Sequence, residues 1–193
     1  MKRVIGITGG IASGKSTVSN YLQSLNMVLA DCDLLTRNSY VDCFEEISNA
    51  FPDCIIDHEI SRPKLASRVF SNEQDKLTLE KIIHPYVRSK MQEVIDDTQD
   101  GLVFLDIPLL YEAHMEDLCD EIWVVYVPRE IQLERLMKRN QMDEQTANIR
   151  IASQMSIEEK KEKADVVLAN TGTIEDLERQ IKQRLEKLYA YTN

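Results

Sequence analysis

Five short apolar runs, the helical patterns between them and a glycine-rich turn after the first run predict an α/β fold: a doubly wound, five-stranded parallel sheet. The runs cover residues 4–8, 27–30, 102–105, 122–127 and 166–169. They are mostly unalternating, as in strands covered on both faces, whereas a half-solvated strand alternates apolar with polar residues. At 193 residues the chain approximates one domain of roughly 150 residues with room for an insertion.

After the first strand, Val18, Leu22 and Leu25 recur at helical spacing and predict a helix over residues 15–25. Residues 34–99 show no strand pattern, only helical patterns around 64–70 and 75–95. That interval is long for a crossover and reads as a helical insertion holding a substrate. Residues 129–163 carry further helices dense in charge, and the mixed run 158–163 reads as a solvated helix face. Ile174, Leu177, Ile181, Leu185 and Leu188 form one stripe, with Glu175, Arg179, Lys182 and Glu186 outside it, so a last helix closes the fold.

With 43% hydrophobic and 29% charged residues the chain is neither disordered nor fibrous. Its net charge of −10 disfavours nucleic acid and anionic membranes as partners, so an anionic substrate needs a local cationic pocket. The four cysteines lack CxxC or zinc-type spacing and read as reduced thiols. The apolar start is too short for a signal segment and no run nears the roughly 18 residues of a membrane span, so a cytoplasmic protein is expected.

Gly9-Gly10-Ile11-Ala12-Ser13-Gly14-Lys15-Ser16-Thr17 satisfies G-x-x-x-x-G-K-[ST] between a strand and a helix, the context this pattern requires. Such a loop wraps so that successive N–H groups and the helix N-terminus converge on a polyphosphate. Lys15 brings a mobile positive charge to the β/γ phosphates, the Ser16 hydroxyl completes a magnesium shell, and Thr17 is a further phosphate contact. The fold is therefore of the P-loop NTPase type and its ligand a nucleotide. The same cradle serves hydrolysis, transfer and sensing, so the acceptor must be read elsewhere.

Asp31-Cys32-Asp33 follows the second strand, where parallel sheets gather ligands. Asp33 is a candidate base for an acceptor hydroxyl, with Asp31 orienting the site or the metal; equally, Asp33 could cap the helix starting at Leu34. Asp106 ends an apolar strand as a magnesium-holding carboxylate does, yet it precedes Ile107-Pro108 and also reads as a rigid strand exit. Arg135 and Arg139 share a helix face, and with Arg150 they could close over ATP or simply pair with Glu130 or Glu134. His84-Pro85 reads as a kink with a half-buried imidazole, or else a ligand contact. No hydrolytic triad or zinc-type His pair is present.

Together these residues resemble the dephospho-coenzyme A kinase family. The likeness runs through Ile7 to Thr17, Asp31-Cys32-Asp33 in place of Asp-Ala-Asp, Leu79 to Pro85, Asp106 to Glu112 and Ala164 to Gly172. It implies ATP-dependent phosphorylation of the ribose 3′-hydroxyl of dephospho-coenzyme A, the last step of coenzyme A synthesis, with Mg²⁺ as cofactor. It also implies an acceptor-binding insertion over 34–99 and a mobile lid over 129–163. By position, Asp33 becomes the base, Lys15 and the loop from Gly10 to Thr17 hold phosphates, Arg139 and Arg150 belong to the lid, and Asn170 and Gly172 lie by the adenine. His84, Asp106, Pro108 and Leu109 become acceptor-site residues. The chain departs from the family in a shortened 34–45 segment without Pro-Gly, in Cys32 for Ala, and in the missing proline after 150–154. The competing readings are a P-loop kinase for another alcohol or nucleotide, such as a shikimate-like alcohol, and a non-catalytic nucleotide switch.

Overall fold

The structure, a computed structural model, describes residues 2–192. In chain order its elements are β1 (Lys2–Gly9), α1 (Lys15–Ser24), β2 (Val28–Asp31), α2 (Cys32–Asp42), α3 (Phe44–Ala50), β3 (Ile55–Ile56), β4 (Glu59–Ile60) and α4 (Arg62–Ser71). There follow α5 (Glu73–Asp97), β5 (Gly101–Asp106), β6 (Glu121–Tyr126), α6 (Arg129–Asn140), α7 (Glu144–Ala152), α8 (Ile157–Lys163), β7 (Val166–Ala169) and α9 (Ile174–Thr192). All five predicted strands form one sheet in the order β2-β5-β1-β6-β7, and β1 pairs in parallel with β5 and β6, as β6 does with β7.

Burial explains that order. The central strands β1, β5 and β6 are almost wholly buried, whereas the edge strands β2 and β7 bury one residue each, Ala30 and Leu168. One layer of core joins Ile5, Ile7, Phe104 and Trp123 from the sheet to Val18 and Leu22 of α1 and Leu177, Ile181, Leu185 and Leu188 of α9. Phe104 and Trp123 meet edge to face at 5.6 Å, the geometry the ring quadrupoles favour. Thus α9 does close the fold along its predicted stripe. Ile174 is the exception: it opens the helix and stays 59% exposed.

The chain forms two compact units, the first running to Ala30 and resuming at Val94, the second Asp31–Glu93. Within the second, Ile47, Phe51 and Leu65 are buried, and Arg68 binds Asp53 and Asp75 while lying over the Phe51 ring. The absence of strand pattern here does not hold. Ile55–Ile56 and Glu59–Ile60 make a two-residue antiparallel hairpin, because Asp57 and His58 both adopt positive φ, as the tightest hairpin turns require. Strands of two residues are too short to show alternation.

His84-Pro85 does not end the helix, since α5 runs through Pro85. Ile83, Val87 and Met91 are buried at helical spacing on both sides of the proline, and this anchoring offsets its missing N–H. His84 and Pro85 are exposed, so the imidazole is not half-buried. The four cysteines form no disulfide among the described residues, and burial pushes the Cys119 thiol up to about 12. No helix among those residues is long and apolar enough to cross a membrane.

Candidate nucleotide site

Gly14 ends the glycine-rich loop as the N-cap of α1 with φ +94°, a conformation that glycine adopts without strain, and no side chain caps the helix. The Thr17 N–H turns back to the Gly14 carbonyl at 2.9 Å, and the first turn of α1 has no side-chain cap, an arrangement suited to receive an anion. The loop closes on itself through the Ser13 N–H donating to the Gly10 carbonyl at 3.0 Å. Lys15, Ser16 and Thr17 form the first turn, with Ser16 exposed.

Three side chains grip the loop main chain. Gln132 of α6 donates to the Ile11 carbonyl at 2.7 Å, Gln154 accepts the Ile11 N–H at 2.9 Å, and Asn170 donates to the Ser13 carbonyl at 2.8 Å. A Cβ on Gly10 would displace the Gln132 amide and one on Gly14 the Asn170 amide, and Gly14 is further favoured by its φ of +94°. These three bonds leave the α1 N-terminus for the ligand.

Asp106 is 5% exposed at the end of β5, opposite Ile7 in register. One carboxylate oxygen accepts the Lys15 ammonium and the other the Ser19 hydroxyl. The exit from β5 is also held, because the Ile107 N–H donates to the Ile7 carbonyl at 2.9 Å and the Thr8 hydroxyl to the Pro108 carbonyl at 3.0 Å. Leu109 lies beyond, 43% exposed. The structure thus brings Lys15, Asp106 and Pro108 to one side of the loop.

Of the predicted arginines, Arg135 pairs with neither Glu130 nor Glu134; it donates to the Asn170 carbonyl at 2.9 Å and so supports the residue that grips Ser13. Arg139 and Arg150 are exposed, and Arg139 donates to Asn140 at 2.9 Å. Gly172 is exposed in the turn before α9. In the second unit, Asp31 rather than Asp33 caps α2, its side chain accepting the Leu34 N–H at 3.1 Å. The helix begins at Cys32, two residues before the expected start, which places Asp33 inside its first turn with an exposed side chain. His84 lies on the exposed side of α5.

The charged run 158–163 is not a fully solvated face. Lys160 is entirely buried, one turn from buried Ile157, and donates to the Pro108 carbonyl at 2.9 Å beside Glu112 at 3.0 Å. A buried ammonium with two oxygen partners overrides the charge pattern. Gln132, Gln154 and Lys160 thus join the site without having been singled out by sequence reasoning, whereas Glu112 ends the Asp106 to Glu112 segment that the family resemblance assigned to the acceptor site. Their one signal is indirect, since Gln132 and Lys160 share helix faces with Arg135 and Ile157.

A model of the dephospho-CoA kinase family matches residues 3–176. The chain is 46% identical over 193 residues to a dephospho-CoA kinase of Carboxydothermus hydrogenoformans, covering 95% of this chain and 93% of the relative. It belongs to the dephospho-CoA kinase family. A second family member, from Bacillus licheniformis, is 42% identical over 194 residues, covering 96% of each chain. Among solved structures, the dephospho-CoA kinase from Campylobacter jejuni superposes with a TM-score of 0.78 at 29% identity, covering 100% of both chains.

The dephospho-CoA kinase resemblance implies magnesium, and the oxygens at hand suit that ion. Mg²⁺ prefers hard oxygen donors and is commonly bound through one or two protein groups together with substrate phosphates. An exposed Ser16 hydroxyl in the first turn of α1 and the Asp106 carboxylate beside Lys15 are such groups.

Proposed function

We propose that this protein transfers the γ-phosphoryl group of ATP to the ribose 3′-hydroxyl of dephospho-coenzyme A, giving coenzyme A and ADP, the last step of coenzyme A biosynthesis, in the cytoplasm. The observation that carries the reading is the uncapped α1 N-terminus, with Lys15 on the buried Asp106, in a chain of the dephospho-CoA kinase family.

In this reading the main chain from Gly10 to Thr17 and the Lys15 ammonium hold the phosphates, and Arg139 and Arg150 of the lid region 129–163 neutralise charge as it moves between oxygens. Asn170 and Gly172 border the adenine. Ser16 and Asp106 would hold Mg²⁺, which supplies charge neutralisation across the β and γ phosphates when bound. The insertion 34–99 binds the acceptor, to which His84, Asp106, Pro108 and Leu109 contribute. Asp33 accepts the 3′-hydroxyl proton as that oxygen attacks the γ-phosphorus and ADP departs. Its exposed carboxylate is available for that work because Asp31 serves as the helix cap.

The test is to supply Mg-ATP with dephospho-coenzyme A, adenosine, AMP or shikimate in turn and to weigh the products by mass spectrometry. Coenzyme A as the new ester is the expected result. A different ester would reassign the acceptor, and ADP without an ester would leave a slow nucleotide switch.

A further inference from the structure

Lys160 makes two contacts that meet at the loop after β5. Its ammonium binds the Pro108 carbonyl at 2.9 Å, the same oxygen that accepts the Thr8 hydroxyl at 3.0 Å, and lies 3.0 Å from Glu112 Oε1. That Glu112 oxygen also accepts the Met155 N–H at 2.9 Å, and the preceding residue, Gln154, accepts the Ile11 N–H at 2.9 Å. Residues 154–160 therefore bind the phosphate loop at one end and the loop after Asp106 at the other.

Stability alone is a weak reason for this arrangement. Desolvating a lysine costs several kcal/mol, and a buried ion pair repays little more than that, so an apolar side chain would serve a core at least as well. What the ammonium adds is direction, since it binds one carbonyl and one carboxylate at fixed places. Burial pushes the Lys160 ammonium down from its ordinary value; Glu112 opposes this, and the positive Lys15 adds to it. The two lysines thus share one electrostatic environment, with Asp106 beside Lys15 and Glu112 beside Lys160.

We propose that Lys160, together with Glu112, is a positioning residue for phosphoryl transfer: it fixes the loop after Asp106 and ties it, through residues 154 and 155, to the phosphate loop that carries Lys15. The assignment rests on the kinase reading above. It adds a coupling between the lid region's end and the residues proposed to face the acceptor. Neither Lys160 nor Glu112 need touch a substrate to act in this way.

A double-mutant cycle on the full chain tests it, with Lys160→Met, which keeps the apolar stem, and Glu112→Gln, which keeps an acceptor for the Met155 N–H. The expected result is a kcat lowered about tenfold or more in Lys160→Met, with the KM for ATP within about twofold of wild type, in a protein that melts earlier but is fully folded at the assay temperature. Glu112→Gln lowers kcat several-fold, and the double variant is no worse than Lys160→Met, because the pair acts as one unit. Turnover near wild type in both single variants, or independent effects that multiply, overturns the proposal. If Lys160→Met does not fold, Glu112→Gln decides alone: a folded variant with unchanged kcat overturns the proposal and a several-fold loss supports it. Should wild type leave dephospho-coenzyme A unmodified, the acceptor assignment fails by itself, and the same cycle read on ADP release from Mg-ATP decides on the pair.

Discussion

The side-chain amide of Asn170 donates to the Ser13 carbonyl at 2.8 Å, so the residue that follows β7 holds the phosphate loop in place by one of its main-chain oxygens. Arg135 in turn binds the Asn170 carbonyl, which keeps that amide aimed at the loop. Asn170→Ala removes one hydrogen bond, a change of about 1 kcal/mol, and is expected to raise the KM for ATP roughly fivefold while leaving the acceptor KM near wild type. Steady-state kinetics with each substrate varied in turn checks this; an unchanged ATP KM would remove Asn170 from the donor site.

Gly14 faces the same amide. Gly14→Ala meets two penalties, the left-handed φ of +94° and the collision with Asn170, and is expected to weaken nucleotide binding at least tenfold. The double variant Gly14→Ala, Asn170→Ala relieves only the collision and should recover part of the loss. Titration calorimetry with an ATP analogue measures both, and full recovery would show that backbone conformation contributes nothing.

Asp31 caps α2, and Asp33 is the proposed base. Asp31→Ala removes the α2 cap and is expected to cost about 1 kcal/mol of stability. Asp33→Asn, which leaves the cap in place, should melt like wild type yet lose a factor on the order of 10² or more in kcat with the ATP KM retained. Thermal melts and kinetics on the two variants separate these roles. Near-normal turnover in Asp33→Asn would strip it of the base assignment.

Glu121 is 3% exposed and accepts hydrogen bonds from Trp123 at 2.6 Å and from Arg184 and Arg3. Burial pushes its carboxyl up, but the Arg184 and Trp123 hydrogen bonds and the arginine charges outweigh that and hold it below the ordinary value of 4.5. A carboxyl lowered by folding contributes stability that is complete above about pH 4.5 and is lost as pH falls through the lower folded value. Glu121→Gln removes the charge that Arg3 and Arg184 bind, is expected to cost about 2 kcal/mol at pH 7, and should flatten the decline in urea midpoint between pH 5 and pH 3. An equally steep decline in the variant would place the acid sensitivity in other groups.

The parts of this fold that the sequence revealed are those whose cause is local. Strands buried on both faces show as apolar runs, α9 shows as a stripe from Leu177 to Leu188, and the phosphate loop shows because glycines must stand where main chain turns left-handed or a neighbour presses close. The β3–β4 hairpin escaped because two residues cannot display a period. Asp33 was ambiguous because cap and first-turn positions lie only two residues apart, and the start of α2 at Cys32 decided between them. Lys160 escaped for another reason: a lysine among Glu158, Glu159, Lys161 and Glu162 reads as solvent-facing until the chain wraps Pro108 and Glu112 around it.

By itself, then, the order of residues determined the sheet, the donor loop and the family, because periodicity, glycine geometry and spacing act over a few neighbours. Tertiary structure alone decided which polar groups hold that loop in place. Gln132, Gln154 and Asn170 reach Ile11 and Ser13 across as many as 157 positions of chain, and Lys160 reaches Pro108 across 52. Hydrogen bonds between such distant partners depend on burial and direction, and no local pattern encodes either.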